Sequence, residues 1–349
     1  MQIIADDKMH TFFSKCMHNI ETDQKNQFLG MPVTKKNERN VIHQLRKAGF
    51  AEFQKEPCPS LFLNTDDWEK TPYHQAVSLS CIKDAHFRYE KEWVAGNELF
   101  NADCIQKDPE RCLNDWMKLR AMDRDFQAVY LYQDDKDWMM DAPSEAFTND
   151  PCAAKAHGRV LTFGLGIGYF LFMACQNPKV EDITVIEYSQ PVIDMFNKYL
   201  LPQFPPHVPV HIIQGDAYKV WQKEYLDQFD YIYTDIWQSS DDGLKAITKL
   251  LEQYEPPFDK TDFWIEDSCY EIMWTLSLLY FRELATKRKA QINPKLNTYM
   301  KKIRRYYAGS RETVTDVKRL QFLMYDTETI RHILAHKSIM TARKTGGLS

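Results

Sequence analysis

The chain has 349 residues, of which 44% are hydrophobic, 27% charged and 13% aromatic, with a mean hydropathy of −0.51. That profile excludes collagen-like, coiled-coil and low-complexity architectures and argues against long disorder, and the length suits two domains or one large domain with an extension. Lys and Arg number 44 and Asp and Glu 49, a net charge of −5, so no overall electrostatic pull toward nucleic acid exists.

The first twenty residues carry Asp6, Asp7, Lys8 and Lys15 and lack the unbroken apolar core of a secretory signal, so a cytoplasmic location is expected. The eight cysteines, at 16, 58, 81, 104, 112, 152, 175 and 269, form no C-x-x-C pair and no Cys/His zinc spacing; reduced thiols are expected.

In chain order, residues 1–125 read as a mainly helical N-terminal region. Asn37-Glu38-Arg39-Asn40 precedes Val41, Ile42, Leu45 and Ala48, spaced for one helix face, and Gly49 supplies a stop. Residues 84–93 also have helical character, while the Pro-rich stretch 56–60 is loop-like. Residues 126–157 form a β-hairpin and connector, with strands over 126–132 and 138–140 around the polar turn 133–137.

From 158 to 290 the pattern changes to short apolar runs alternating with helical segments. Five buried strands, over 160–163, 183–186, 210–213, 231–234 and 263–265, predict an α/β fold with a doubly wound, mostly parallel Rossmann-like sheet and helices on both faces. The uncharged run 160–178 is broken by Gly164, Gly166 and Gly168, so it reads as strand, loop and helix rather than a membrane span. Helices are predicted over 190–200 and 270–289, and residues 291–349 form a helical C-terminal extension after the break at Asn293-Pro294.

Glycine is scarce, 12 of 349 residues, yet three fall in Gly164-Leu165-Gly166-Ile167-Gly168, between a predicted strand and a predicted helix. Absent Cβ atoms let the backbone turn sharply and approach a ligand, and free N–H groups at a helix start favour electron-rich groups. A tight turn that binds nothing is the lesser alternative for the glycines taken alone. Glu187, however, ends the second predicted strand nineteen residues beyond Gly168, where an acid can accept from ribose hydroxyls. The third strand leads into Gln214-Gly215-Asp216-Ala217, and the fourth ends at Asp235.

The ordered set RVLTFGLGIGYF, TVIEYSQPVIDMF, IIQGDAYKV and FDYIYTDIWQ, spanning about 159–268, resembles the successive motifs of class I S-adenosylmethionine-dependent methyltransferases, most closely the spermidine synthase-like branch. The resemblance implies a methyltransferase with S-adenosyl-L-methionine as cofactor and residues 1–125 as substrate cover. Gly164, Leu165, Gly166 and Gly168 would lie under the methionine part, Glu187 would hold the ribose and Tyr188 would flank the adenine. Asp216 would accept from the adenine amino group with Ala217 beside it, and Asp235 would face the reacting centre. The chain also departs from the pattern. Thr162 stands where many methyltransferases have an acid, and Ile167 and Gln238 replace two acids of aminopropyl-transferring relatives, which argues against polyamine synthesis.

Methyl transfer chiefly requires holding a nucleophile in line, and ligands on open α/β sheets bind outside the carboxyl strand ends. Asp235 is therefore the catalytic candidate, able to orient or deprotonate an N–H or O–H, with Trp237, Gln238, Glu266 and Asp267 as further candidates above the strand ends. A tryptophan after a strand is more often plain packing, so Trp237 ranks second as a pocket wall. Asp141 and Glu145, just before the sheet, are substrate-pocket candidates or a solvated loop. His332 and His336 stand four apart, but nothing completes a metal site, and Asp241-Asp242-Gly243 reads as a helix start, so no metal is expected.

Between Arg282 and Arg311 ten basic residues stand against one acid, Glu283, with Tyr299, Tyr306 and Tyr307 among them. RNA stacking and phosphate contact fit that pattern; so does a solvated amphipathic helix with Leu296, Met300 and Ile303 on its apolar side, which is the reading adopted. The expected partner is a small-molecule acceptor of unidentified nature, with no membrane and an open oligomeric state. A cofactor-binding module without catalysis and an RNA-directed methyltransferase are the alternatives.

Overall fold

The structure, a computed structural model, describes residues 1–79, 82–83 and 86–336. Cys81 and the start of the segment 84–93 lie outside the described residues. Helix α1 (Asp7–Glu21) is capped by Asp6, whose carboxylate accepts the Met9 N–H at 2.9 Å, and it buries Met9, Phe12, Phe13 and Cys16. The next predicted helix forms as α2 (Glu38–Lys47), and Gly49 follows it at φ +91°. A short helix α3 (Pro72–Ala76) begins with proline in its first turn.

The helical expectation for 84–93 is wrong. Strand β1 (Phe87–Val94) pairs antiparallel along its whole length with β2 (Phe126–Gln133), from Phe87 opposite Gln133 to Val94 opposite Phe126. The charges of Arg88, Glu90, Lys91 and Glu92 favour helix locally, but Phe87 and Tyr89 alternate into the core, and a partner far along the chain decides the matter. Three further short strands, Phe62–Leu63, Phe100–Asn101 and Leu119–Met122, form a small sheet, so the N-terminal region interleaves helices with strands. β2 turns through Asp134 and Asp135, at φ +49° and +63°, into β3 (Lys136–Met140), the predicted hairpin. Helix α4 (Pro143–Lys155) follows.

Five later strands, β4 (Gly158–Phe163), β5 (Val180–Glu187), β6 (Val210–Gln214), β7 (Tyr231–Thr234) and β8 (Thr261–Phe263), form one sheet in the order β6-β5-β4-β7-β8, every pair parallel. This is the doubly wound Rossmann-like arrangement. Leu161, Phe163, Ile186 and Ile232 point into one core layer, against α8 (Ser240–Gln253) and α9 (Glu266–Thr286). Val160, Val185, Tyr231 and Tyr233 point into the opposite layer, against α4, α5 (Tyr169–Gln176) and α6 (Gln190–Met195). Alternation along each strand thus builds two apolar layers from one sheet.

Two details of the predicted sheet change. β6 lies at an edge and is half-exposed rather than buried, with Ile213 open to solvent. The fifth strand ends at Phe263, and Ile265, at φ +45°, turns the chain into α9. Beyond α9 the chain forms α10 (Asn297–Ala308), α11 (Val317–Tyr325) and α12 (Thr327–Ala335), whose apolar faces join the first layer. No helix among the described residues is long and apolar enough to cross a membrane.

In the basic segment Lys302 is buried, donating to the Leu334 carbonyl at 2.6 Å and pairing with Glu252, and Arg304 pairs with Glu283 at 2.8 Å. Tyr307 is buried too. Lys302 and Tyr307 hold α10 against its neighbours instead of facing solvent, while Arg304 stays partly exposed.

Candidate functional site

Winding outward from β4 in both directions leaves a switch point between β4 and β7, where the connections part and a crevice opens at the carboxyl ends. A cavity of about 970 Å³ occupies it, a volume that suits a nucleotide-sized ligand. Its floor is the bend after β4 with the ends of β5 and β7, its roof the β2–β3 hairpin and its side α4.

The three glycines of the bend all have positive φ, +94° at Gly164, +51° at Gly166 and +74° at Gly168. Their missing side chains make room for protein, which sequence alone does not suggest. A Cβ on Gly164 would lie 1.9 Å from the Asp235 carbonyl oxygen, one on Gly166 2.7 Å from Met139 Sδ, and one on Gly168 2.5 Å from the Phe196 ring. Gly164 lets β4 and β7 close together, Gly168 seats the start of α5, and Gly166 admits the hairpin as a lid. Tyr89 donates to the Gly166 carbonyl at 3.1 Å and Tyr73 to the Ile167 carbonyl at 2.7 Å, pinning the bend from above.

Glu187 reaches the bend from the tip of β5. Its carboxylate accepts the Leu165 N–H at 3.0 Å and the Ser189 N–H at 2.7 Å, and it lines the cavity while 8% exposed. Burial pushes its carboxyl up, and the backbone N–H groups oppose that rise. Tyr188, beside it, is 75% exposed. Asp216 caps α7 (Ala217–Val220), accepting the Tyr218 N–H at 3.0 Å, and both Asp216 and Ala217 face the cavity.

Asp235 follows β7, its N–H bonded to the Phe163 carbonyl at 2.9 Å. Glu145, on the first turn of α4, lines the same cavity. Burial, and secondarily Glu145, push the Asp235 carboxyl well above the usual carboxylate range. Burial and then Asp141 push Glu145 up to about 7, opposed by the 3.1 Å hydrogen bond from Asn149 Nδ2. Asn149 Oδ1 in turn accepts from the Tyr233 hydroxyl at 2.7 Å. Two desolvated carboxyls without a neutralising cation between them keep a proton near neutrality.

Not every candidate reaches the cavity. Asp141 is buried behind the wall, bonded to His74 Nε2 at 2.6 Å. Glu266 instead pairs with the buried Arg331 at 2.6 and 2.7 Å, and Asp267 pairs with Lys107 at 3.0 Å. Trp237 lines the cavity but packs into the core against Phe263, so packing and pocket wall coincide. Gln238 donates to the Trp138 carbonyl at 3.3 Å and ties the loop after β7 to the hairpin. Ser239 caps α8 at the predicted helix start, accepting the Asp242 N–H at 3.4 Å. His332 bonds to Glu255. Sequence reading missed Tyr73, His74, Tyr89, Met139 and Asn149. Only Asn149, one turn after Glu145 on α4, carried a local signal.

No family model and no curated protein matches the chain. Among solved structures it is similar, at 14% identity and a TM-score of 0.29, to a spermidine synthase from Thermotoga maritima, over 60% of this chain and 72% of that one. A SAM-dependent methyltransferase from Archaeoglobus fulgidus aligns at 14% identity and TM-score 0.21, over 54% and 86%. Shikimate dehydrogenase from Mycobacterium tuberculosis aligns at 14% and 0.22, over 41% of this chain, which spans 56% of that enzyme's length. Likenesses this distant assign neither a substrate nor a role to any residue.

Proposed function

We propose that the chain binds S-adenosyl-L-methionine in this cavity and transfers its methyl group to a small acceptor carrying an N–H or O–H. The observation that carries the reading is one cavity that joins the Glu187-anchored bend to the Asp235–Glu145 carboxyls at the sheet's switch point. The residues fit the group: the Glu187 carboxylate accepts the Leu165 and Ser189 N–H groups and lines the cavity, where a hydroxyl of a ribose would donate to it. Tyr188 and Ala217 offer apolar surface to a base, and Asp216 an acceptor.

When bound, the cofactor supplies a methyl group on a cationic sulfonium. The chain's part is to exclude water with the hairpin lid, hold the acceptor in line and take its proton. Alignment of this kind is worth up to ~7–11 kcal/mol and proton removal ~10²–10⁴-fold. Glu145, ionising at about 7, is the group at hand to take the proton, and Asp235, whose carboxyl burial keeps protonated, orients the acceptor through a hydrogen bond. The two carboxyls also support a second reading, a cationic amine as acceptor, whose charge would hold them ionised, because Glu145 supplies an acid that Ile167 and Gln238 do not.

Calorimetry tests both. S-adenosyl-L-methionine and its demethylated product should bind the wild type, and Glu187→Gln should weaken both by ~10-fold or more, the loss of a hydrogen bond to a charged acceptor. Preference for the decarboxylated form would favour amine chemistry with a different transferred group. No heat with any of the three would overturn the reading, and tight binding without turnover would leave a module that does not catalyse.

A further inference from the structure

Glu145 and Asp235 come from different elements, and one side-chain amide joins those elements. Asn149 Nδ2 gives its two hydrogens to Glu145, one to the backbone carbonyl at 2.9 Å and one to carboxyl Oε1 at 3.1 Å. With both spent, the donor between Asn149 Oδ1 and the Tyr233 oxygen, 2.7 Å apart, is the Tyr233 hydroxyl. The partners thus fix the direction of the amide: turned over, it would set its oxygen against two oxygens of Glu145. Asn149 and Tyr233 are each 1% exposed, so each depends on the other for its hydrogen bond.

This hydrogen-bonded line has an anchored end and an open end. The Tyr233 ring stacks on Phe170 of α5, with centroids 3.9 Å and planes 19° apart. Tyr233 stands two residues before Asp235, which continues the β7 ladder through its N–H to the Phe163 carbonyl at 2.9 Å, so the two side chains leave one face of the strand. At the other end, the Glu145 carboxyl has no further hydrogen bond among the described residues. Its second oxygen is left for a ligand in the cavity that Glu145, Asn149, Tyr233 and Asp235 all line. The amide is therefore a strut that sets Glu145, on helix α4, relative to the strand that leads to Asp235.

We propose that Asn149 is a positioning residue: its amide, oriented by Tyr233, holds one oxygen of Glu145 and turns the other toward the acceptor. The inference rests on the methyl-transfer reading for its purpose, but the hydrogen-bonded line exists without it. A donor to Oε1 favours the ionised carboxylate, against burial and the groups that face Glu145: Asp141 from its own segment, Tyr233 and Asp235 from β7 and its end, and Tyr169 from α5. Asn149→Leu removes that donor without changing any of those charges, so its effect has one sign.

The test is an NMR titration of the ligand-free protein, with the Glu145 carboxyl resonance assigned by its loss in Glu145→Gln. In Asn149→Leu the Glu145 midpoint should rise by about one pH unit, a tenfold change in proton affinity, and in Tyr233→Phe by less, because only the hydroxyl that orients the amide is gone. In the wild type, the Asn149 side-chain amide resonance should move with the Glu145 midpoint, a readout that a merely structural role in α4 would leave flat. A thermal melt shows whether each variant is folded, and the wild-type amide titration decides the matter if neither is. An unmoved midpoint in either folded variant, or an amide resonance that ignores the titration, overturns the proposal. Calorimetry with S-adenosyl-L-methionine separates this inference from the reading it rests on. Midpoints that move in a protein that does not bind the cofactor leave the positioning role standing and sink the methyl-transfer reading; binding with unmoved midpoints does the reverse.

Discussion

Two partly buried acids, Glu266 and Glu145, show how one side chain type serves structure in one place and chemistry in another. Glu266 receives two hydrogen bonds from Arg331, which is 2% exposed, also donates to the Thr261 carbonyl at 2.8 Å and lies over the Phe263 ring. Every partner there belongs to the fold. Glu145 has an amide, a neighbouring acid and an open cavity, and no ion pair among the described residues. A charge satisfied inside the protein holds α12 to the sheet edge, whereas one left unsatisfied holds a proton that a ligand can meet.

The sharpest way to break this contrast is Asp235→Asn. Once an acceptor is in hand, single-turnover assays should show a ~10²–10⁴-fold loss of rate with cofactor affinity intact, and undiminished turnover would remove Asp235 from the reacting centre. On the structural side, Arg331→Met leaves Glu266 buried without its partner and should cost ~3–5 kcal/mol in urea unfolding, with ligand affinity unchanged in the folded fraction. Arg331→Met combined with Glu266→Leu should recover most of that loss; failure to recover would mean that the ion pair is not what Arg331 contributes.

The glycines sharpen the comparison further. Gly164→Ala drives a Cβ into the Asp235 backbone at φ +94°, so it should unfold the switch point, while Gly166→Ala meets only the mobile end of Met139. A stability loss of ~1–3 kcal/mol or more for the first and a smaller one for the second, read from denaturant midpoints, is the expected order; the reverse order would contradict the packing described. The smallest effect is one of pH. Glu145 ionises near its ordinary value in the unfolded chain and at about 7 in the fold, so between those limits the folded state binds more protons and stability falls as pH rises. Glu145→Gln should remove that slope and be relatively more stable at pH 7 than at pH 4.5, and equal slopes for both proteins would show that Glu145 is not the buried acid.

Local pattern made the parallel sheet legible, because buried runs such as 160–163 alternate with helices whatever their neighbours. The glycine bend, Glu187, Asp216 and Asp235 followed, since each sits at a strand end and strand ends can be read from sequence. The segment 84–93 was illegible for the opposite reason: its partner is β2, some forty residues on, and helix propensity had no local competitor. The same holds for His74, which meets Asp141 across 67 residues, and for Met139 over Gly166. The sequence by itself determined where the chain turns from strand to helix and which residues crown the strands, for those depend on neighbours three or four positions away. Only the tertiary structure decided which acids find a cation and which face a cavity, because burial and charge balance are properties of what packs from elsewhere in the chain.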